Sequence, residues 1–361
     1  MLTGSTYYEN RTRGLLRKIR CIVVKFRKLA KQISKIAIQY LLVATITLFL
    51  FEGAFRLYLI DFYKSSFEYL NSDFADRNTD KTLMIIGDSF SSFKEGYPKV
   101  LHDSLTEFRI RNISVPGTSV REQNLFGKHY LKKEHPEILI FQFYVGNDLF
   151  GWDHTLNWGE VSFVKNFYWN LSENLWSLTY LNYSLVNIKA NLSEIDSSAK
   201  LDWVEKPFSS DLYSQQDKQY FKSEPMLIEN TTYLKGRREA NLDRYMERVA
   251  DLLDYAPEDC EIYFLIIPHK SQVSDMYKNQ TEQIGSVFTK EFKVANPSYP
   301  LYVEINNFFA ADHRVKILNT VDLLRQSEVS GNSVYFNNDS HLNVLGQQIL
   351  GEFLLKQIQL Q

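Results

Sequence analysis

The chain has 361 residues, 44% of them hydrophobic, with 41 Lys and Arg against 43 Asp and Glu, for a formal net charge of −2. That length leaves room for one large domain and an appendage. Only two cysteines are present, Cys21 near the start and Cys260 before an apolar run, which excludes a disulfide framework and a C-x-x-C site.

Residues 1–35 hold ten basic side chains, from Arg11 to Lys35, against the single acid Glu9. From Ile36 to Phe51 no charge interrupts an apolar run, and the pattern continues to Ile60. A span over 36–58 meets the roughly 20 residues a bilayer core requires. Glu52 and Arg56 stand four apart near its outer end, placed to pair. A cleaved signal peptide or a buried core helix would give the same pattern. No small-x-small cleavage site follows, and the leader is long for a signal peptide, so an uncleaved signal anchor is the expectation. The positive-inside rule then leaves 1–35 in the cytoplasm and the remainder periplasmic or extracellular. Ten basic residues less one acidic give the leader +9, so residues 36–361 carry −11. So acidic a remainder makes nucleic acid an unexpected partner, while the basic leader suits anionic lipid.

After a polar, aromatic-flecked linker over 59–81, apolar runs alternate with helical patterns through the rest of the chain, 82–361. Strands are expected at 83–86, 110–115, 138–145, 262–267 and 315–318. Helices are expected at 97–108, over the face Leu242–Leu253, and after His341. This rhythm predicts an α/β fold, a three-layer α/β/α sandwich on a parallel sheet of about five strands. One stretch, 150–236, lacks the rhythm and holds all five tryptophans, Trp152, Trp158, Trp169, Trp176 and Trp203. A loop that long is unusual, so an inserted subdomain or lid is expected there. The tryptophans would form its small core, or a stacking platform for sugar rings, or both.

Three expected strands end in informative turns: Gly87-Asp88-Ser89, Pro116-Gly117 and Gly146-Asn147-Asp148. In a parallel sheet these turns share the carboxyl edge, where ligands bind. A serine nucleophile needs a base and oxyanion donors. The N–H groups of Ser89 and Gly117 and the amide of Asn147 would supply the donors. His341 would take the Ser89 proton, with Asp339 holding its tautomer. Each residue alone has an ordinary reading, as a turn glycine or a post-strand turn residue. His269 also follows a strand at this edge and is the rival base. Asp148, His154, His269 and Trp152 are candidate substrate contacts. No His-Glu-x-x-His, paired metal-ligand spacing or phosphate-cradling glycine loop appears, so neither a metal nor another cofactor is expected.

Taken in order, Gly-Asp-Ser, Gly117, Gly-Asn-Asp and Asp339-x-His341 resemble the blocks of the SGNH (GDSL-type) hydrolase superfamily, over roughly 82–360 apart from the tryptophan-rich stretch. The resemblance implies an SGNH/flavodoxin-like fold, Ser89 as nucleophile, Gly117 and Asn147 as oxyanion donors and His341 as base. The usual last block, Asp-x-x-His, would put the acid at 338, which is Asn338. Here Asp339-x-His341-x-Asn343-x-x-Gly346 is similar to the variant of many membrane-anchored bacterial members, and some members work with a Ser-His pair alone.

The resulting expectation is an extracytoplasmic serine ester hydrolase or deacylase acting on an acylated small molecule or glycan, beside envelope biosynthetic proteins. An O-acyltransferase to an envelope polysaccharide shares the first half-reaction. A non-catalytic glycan-binding or scaffold protein of the same fold is the reading from another class.

Overall fold

A computed structural model of the chain describes residues 5–75, 77–150, 167, 171, 174–181 and 203–359, with only the backbone described for 5–26 and 30. It divides into two compact units, Met1–Ile60 and Asp61–Gln361. The first is one helix, α1, Ser5–Arg56. Its portion Arg27–Arg56, 30 residues, is long and apolar enough to cross a membrane. At about 1.5 Å per residue that is roughly 45 Å, longer than a hydrocarbon core of about 30 Å. Such a helix near the N-terminus fits a membrane anchor or a signal sequence. The Arg56 guanidinium donates to Glu52 at 2.5 Å, the pairing their spacing suggests.

The second unit is built on five strands: β1 Thr82–Ile86, β2 Arg109–Asn112, β3 Ile138–Tyr144, β4 Glu261–Ile267 and β5 Val315–Asn319. All neighbours run parallel, in the order β2-β1-β3-β4-β5. Its helices include α2 Lys64–Leu70, α3 Tyr97–Ser104, α4 Val120–Glu134, α5 Gln215–Ser223, α6 Leu227–Tyr233, α7 Arg238–Leu253, α8 Asp275–Gln283, α9 Pro300–Phe309, α10 Val321–Val329 and α11 Val344–Gln359. The central strands β1 and β3 are buried along their whole length, which is why they read as unbroken apolar runs rather than alternating ones.

Alternate residues face opposite layers. Leu83, Ile85, Ile140 and Leu265 join one core with Leu101 of α3, Leu324 of α10 and Leu350 and Leu354 of α11. On the other face Phe143 meets Tyr245 of α7 edge to face at 5.2 Å, and Phe264 meets Phe309 of α9 at 5.3 Å. The protein is therefore an α/β/α sandwich. The expected strand at 110–115 is pleated only to Asn112, but its ladder runs on, with Ile113 N–H donating to Ile85 at 2.9 Å and Val115 N–H to Gly87 at 3.2 Å. Helix α3 ends at Ser104, short of 108, because the chain must turn into β2.

Two segments depart from the sequence reading. Residues 59–81 were expected to link; instead α2 lies within the second unit, with Tyr63, Phe67 and Leu70 buried. Phe67 meets Phe126 at 5.3 Å and Tyr130 at 5.2 Å, both edge to face. Asn71 bonds both the N–H (2.9 Å) and C=O (2.7 Å) of Asn112 on β2. The aromatic flecks are spaced to cover one side of α4, which a composition-based reading misses. Within 150–236, the described residues from 203 onward are not rhythmless: they carry α5 and α6. Trp176 and Trp203 are half-buried, and Trp152, Trp158, Trp169 and His154 lie outside the described residues.

Removing the Phe67 ring should therefore destabilise the sheet domain. Phe67→Ala is expected to cost about 3–5 kcal/mol in denaturant unfolding; a loss under about 0.5 kcal/mol would mean that 61–81 is a tether after all.

Candidate active site

Strand order reverses between β1 and β3, since β2 lies to one side of β1 and β4 lies beyond β3 on the other. In an open parallel sheet the crevice outside the carboxyl ends at that reversal is where ligands bind. Ser89 follows β1 and Asn147 follows β3, so the two flank it. Gly87 must be glycine: a Cβ would stand 2.5 Å from Ser91 Oγ and 2.6 Å from Gln142 Oε1. Gln142, the polar exception in β3, accepts the Asp88 N–H at 3.0 Å, and the Asp88 carboxylate accepts the Phe90 N–H at 2.9 Å. Asp88 is thus committed to shaping the turn, and Ser89 is left half-buried at its tip.

Gly117 sits at φ +72°, a left-handed conformation natural to glycine. It is followed directly by a capping box, in which Ser119 and Glu122 close the first turn of α4. Among the described residues, neither the Ser89 N–H nor the Gly117 N–H donates to another protein group. The Asn147 side chain lies near the Tyr220 hydroxyl of α5.

The far end of the chain reaches this edge through a short closure. Tyr335 and Leu342 form an antiparallel bridge, and Phe336 N–H donates to His341 C=O at 3.0 Å. Asn343 accepts the Gly346 N–H at 2.9 Å, capping α11, while a Cβ at Gly346 would strike the Val334 carbonyl. One turn further, Gln347 donates to Phe90 C=O (2.9 Å) and accepts the Tyr97 N–H (3.0 Å), tying α11 to the serine turn. The result is a direct contact. His341 Nε2 lies 2.7 Å from Ser89 Oγ. On the other side of the ring Nδ1 hydrogen-bonds Asp339 Oδ1, which also accepts the His341 N–H at 2.8 Å. The Phe90 ring packs against the imidazole at 4.6 Å.

Electrostatics here are dominated by carboxylates. Burial pushes the His341 imidazolium down, but Asp339, Asp217 and Asp88 outweigh it and hold the group up to about 9. Asp339 feels burial too, yet the charge and hydrogen bonds of His341 bring it below the ordinary carboxylate range. The His341 side chain keeps 36% of its surface open, so the ring is reachable from solvent.

Several groups at this edge escaped the sequence reading. Asn338 stands where the resemblance would put an acid. It is fully buried, and its amide accepts the Ser209 N–H at 2.8 Å while donating to the carbonyls of Trp203 and Lys206, both at 2.9 Å. A carboxylate could not make those two donations, so Asn338 stitches the 203–209 segment to the base loop while Asp339 faces His341. Lys270, fully buried, donates to the carbonyls of Phe336 (2.8 Å), Asn337 (3.3 Å) and Asp339 (3.2 Å). Burial brings it down to about 7. Two α5 side chains, Asp217 and Tyr220, complete the surround.

Other candidates are placed differently. His269, the rival base, is buried, with Nδ1 engaged by Ser271, and burial together with the Lys270 charge brings it down to about 3. Asp148 is buried, and its carboxylate accepts the Tyr144 N–H at 2.8 Å. Burial and the neighbouring Asp88 push it well above the ordinary carboxylate range. Both therefore support the turns from inside rather than facing a substrate. Trp152 and His154 fall outside the described residues. Among the described residues no group of three or more His, Cys, Asp or Glu is arranged to hold a metal ion.

No family model matches the sequence, and no curated protein matches it. Solved structures with a similar course of the chain include TesA, at 12% identity and TM-score 0.37, covering 77% of this chain and 98% of that one. A mutant of Axe2, an acetyl-xylooligosaccharide esterase from Geobacillus stearothermophilus, is 12% identical with TM-score 0.38, covering 78% of this chain and 95% of that one. LAE5, an alpha/beta hydrolase enzyme from the metagenome of Lake Arreo, Spain, is 11% identical with TM-score 0.36, over 78% and 95%.

If Asn338 serves as the stitch, restoring an acid there should harm the protein. Asn338→Asp is expected to lower unfolding free energy by about 2–4 kcal/mol, because two carbonyls lose a donor and face a buried charge. Unchanged stability, with the new carboxylate taking over from Asp339 as the group that slows the reaction when neutralised, would contradict this assignment.

Proposed function

We propose that the protein is an SGNH-type serine ester hydrolase in which Ser89 is the nucleophile, His341 the base and Asp339 its orienting acid. The observation that carries this reading is the 2.7 Å contact between Ser89 Oγ and His341 Nε2, with Asp339 on Nδ1. Asp339 accepts from Nδ1–H, which leaves the Nε2 lone pair for the serine proton. As that proton moves to Nε2, Oγ bonds to the ester carbonyl carbon and the carbonyl oxygen becomes an oxyanion. The free N–H groups of Ser89 and Gly117 and the Asn147 amide are the donors for it. Collapse releases the alcohol, which takes the proton from His341. Water, deprotonated by the same imidazole, then releases the acid and restores Ser89.

The reading extends to place and substrate. The basic leader and the apolar helix support a single-pass anchor with 1–35 in the cytoplasm and the enzyme domain outside it. An acylated carbohydrate of the cell envelope is the substrate class this location and the tryptophan-rich segment favour. Transfer of the acyl group to a glycan hydroxyl instead of water would use the same acyl-enzyme.

With p-nitrophenyl acetate as probe, the full-length protein in detergent should release a burst of nitrophenolate equal to the enzyme present, followed by slower turnover. Ser89→Ala should abolish the burst. Asp339→Asn should slow acylation by about 10²–10⁴. A burst that survives in Ser89→Ala would sink the reading.

The pH dependence has a definite sign. His341 must be neutral to act, and the surrounding carboxylates hold its proton on, up to about 9. Acylation should therefore rise with pH through a midpoint well above the ordinary histidine value of about 6.5. Stopped-flow rates between pH 5 and 10 give the midpoint; one at or below about 6.5 would contradict the arrangement.

A further inference from the structure

We propose that Asp217, in the first turn of α5, is a positioning residue for the reaction: a second carboxylate that governs when His341 is free to take the Ser89 proton. The inference rests on the Ser89–His341 reading above and assigns a role to a side chain that reading does not use. Its ground is how α5 is delivered. Asn338 N–H donates to Val204 C=O at 3.1 Å, the Asn338 amide holds 203–209, and Ser214 N–H, at the start of α5, donates to Asn338 C=O at 2.9 Å. The segment is thereby stitched to the base loop, and the first turn of α5 is brought against it.

There Asp217 Oδ2 is buried with no hydrogen-bond partner among the described residues. The hydroxyl of Ser340, the residue between Asp339 and His341, acts on it and favours the ionised form. The groups that face it are Asp339 and His341 from the base loop, Lys270 from the turn after β4, Tyr144 from β3, and Tyr213 and Tyr220 from its own segment. His341 in turn faces Asp339, Asp217 and, from the serine turn, Asp88. Lys270 gives its hydrogen bonds to three backbone carbonyls, and His341 gives Nδ1 to Asp339. Asp217 thus feels the charge of two cations whose hydrogen bonds go elsewhere. A carboxylate left in that state is costly, and an asparagine would fill the same space without the charge.

What the charge does follows from linkage. An ionised Asp217 stabilises the imidazolium and withholds the base; a neutral Asp217 releases it. Burial, reinforced by Asp339, pushes Asp217 up to about 7, so its charge changes within the neutral range. The same charge favours the imidazolium that forms as Ser89 attacks, so the carboxylate trades availability of the base at low pH for stabilisation of the transition state at high pH.

Asp217→Asn tests this in the full-length protein with two readouts. One is the titration of His341 followed by NMR of 13C-labelled histidine, its resonance identified by absence from His341→Gln. The other is the acylation rate by p-nitrophenyl acetate against pH. In Asp217→Asn the His341 midpoint should fall by about one unit or more, the acidic limb of the rate profile should move with it, and the plateau at high pH should drop. Asp217→Glu keeps the charge and should keep the midpoint within about half a unit of the parent, which also guards against a misfolded Asn variant. An unmoved His341 midpoint in Asp217→Asn, or an equal fall in Asp217→Glu, overturns the proposal. Failure of the parent protein to acylate at all would defeat the serine-hydrolase reading instead, and the NMR readout would still decide the role of Asp217.

Discussion

Everything at the carboxyl edge depends on one contact, the 2.7 Å approach of His341 Nε2 to Ser89 Oγ, between residues 252 apart in sequence. Neither partner is placed by its own local structure alone. The serine turn is fixed from below by Gln142 and from the side by Gln347, whose amide spans Phe90 and Tyr97. The histidine loop is fixed by the Lys270 ammonium on three carbonyls and by the Asn338 amide on the 203–209 segment. Each support is a buried polar group bonded to the turn or loop it holds, and loss of one partner would leave the other unsatisfied at a cost of about 1–3 kcal/mol. Such networks hold a reacting pair at a defined separation more firmly than apolar packing does.

The charge around that pair is lopsided. Asp339, Asp217 and Asp88 all act on His341, and Asp88 lies near the buried Asp148. A cluster of this kind opposes stability, because like charges are gathered where water is scarce. It also tunes chemistry, because the protons it retains are those a base and an orienting acid must exchange. Lys270 belongs to both sides of this balance. Its charge acts on Asp339 and Asp217, while its hydrogen bonds go to backbone and leave those carboxylates available.

Much of the fold was legible because the signals are local. The runs around Leu83–Ile86, Ile138–Tyr144 and Ile262–Ile267 are buried on both faces and so leave no polar alternation to confuse them. Ser89, His341 and Asp339 were legible because they sit in turns after such runs or in a compact block near the end. The less visible parts depend on distant partners. Phe67 looks like an aromatic in a polar tether until Phe126 and Tyr130 are beside it. Lys270 reads as a surface lysine after a strand, and Asn338 as a broken motif. Asp217 lies in a polar stretch, Gln215-Gln216-Asp217-Lys218, with no apolar rhythm to mark its helix as part of the site. Asp148 and His269 misled in the opposite sense, since a post-strand position suggests exposure and both are buried.

The most direct measurement is covalent. Incubation of the full-length protein with a fluorophosphonate probe, followed by peptide mass mapping, reads the nucleophile without assuming a substrate. A single phosphonyl adduct on Ser89, strongly diminished in His341→Ala, is the expected result. Absence of an adduct, an adduct on another residue, or labelling of Ser89 that is indifferent to His341 would contradict a serine nucleophile activated by this histidine.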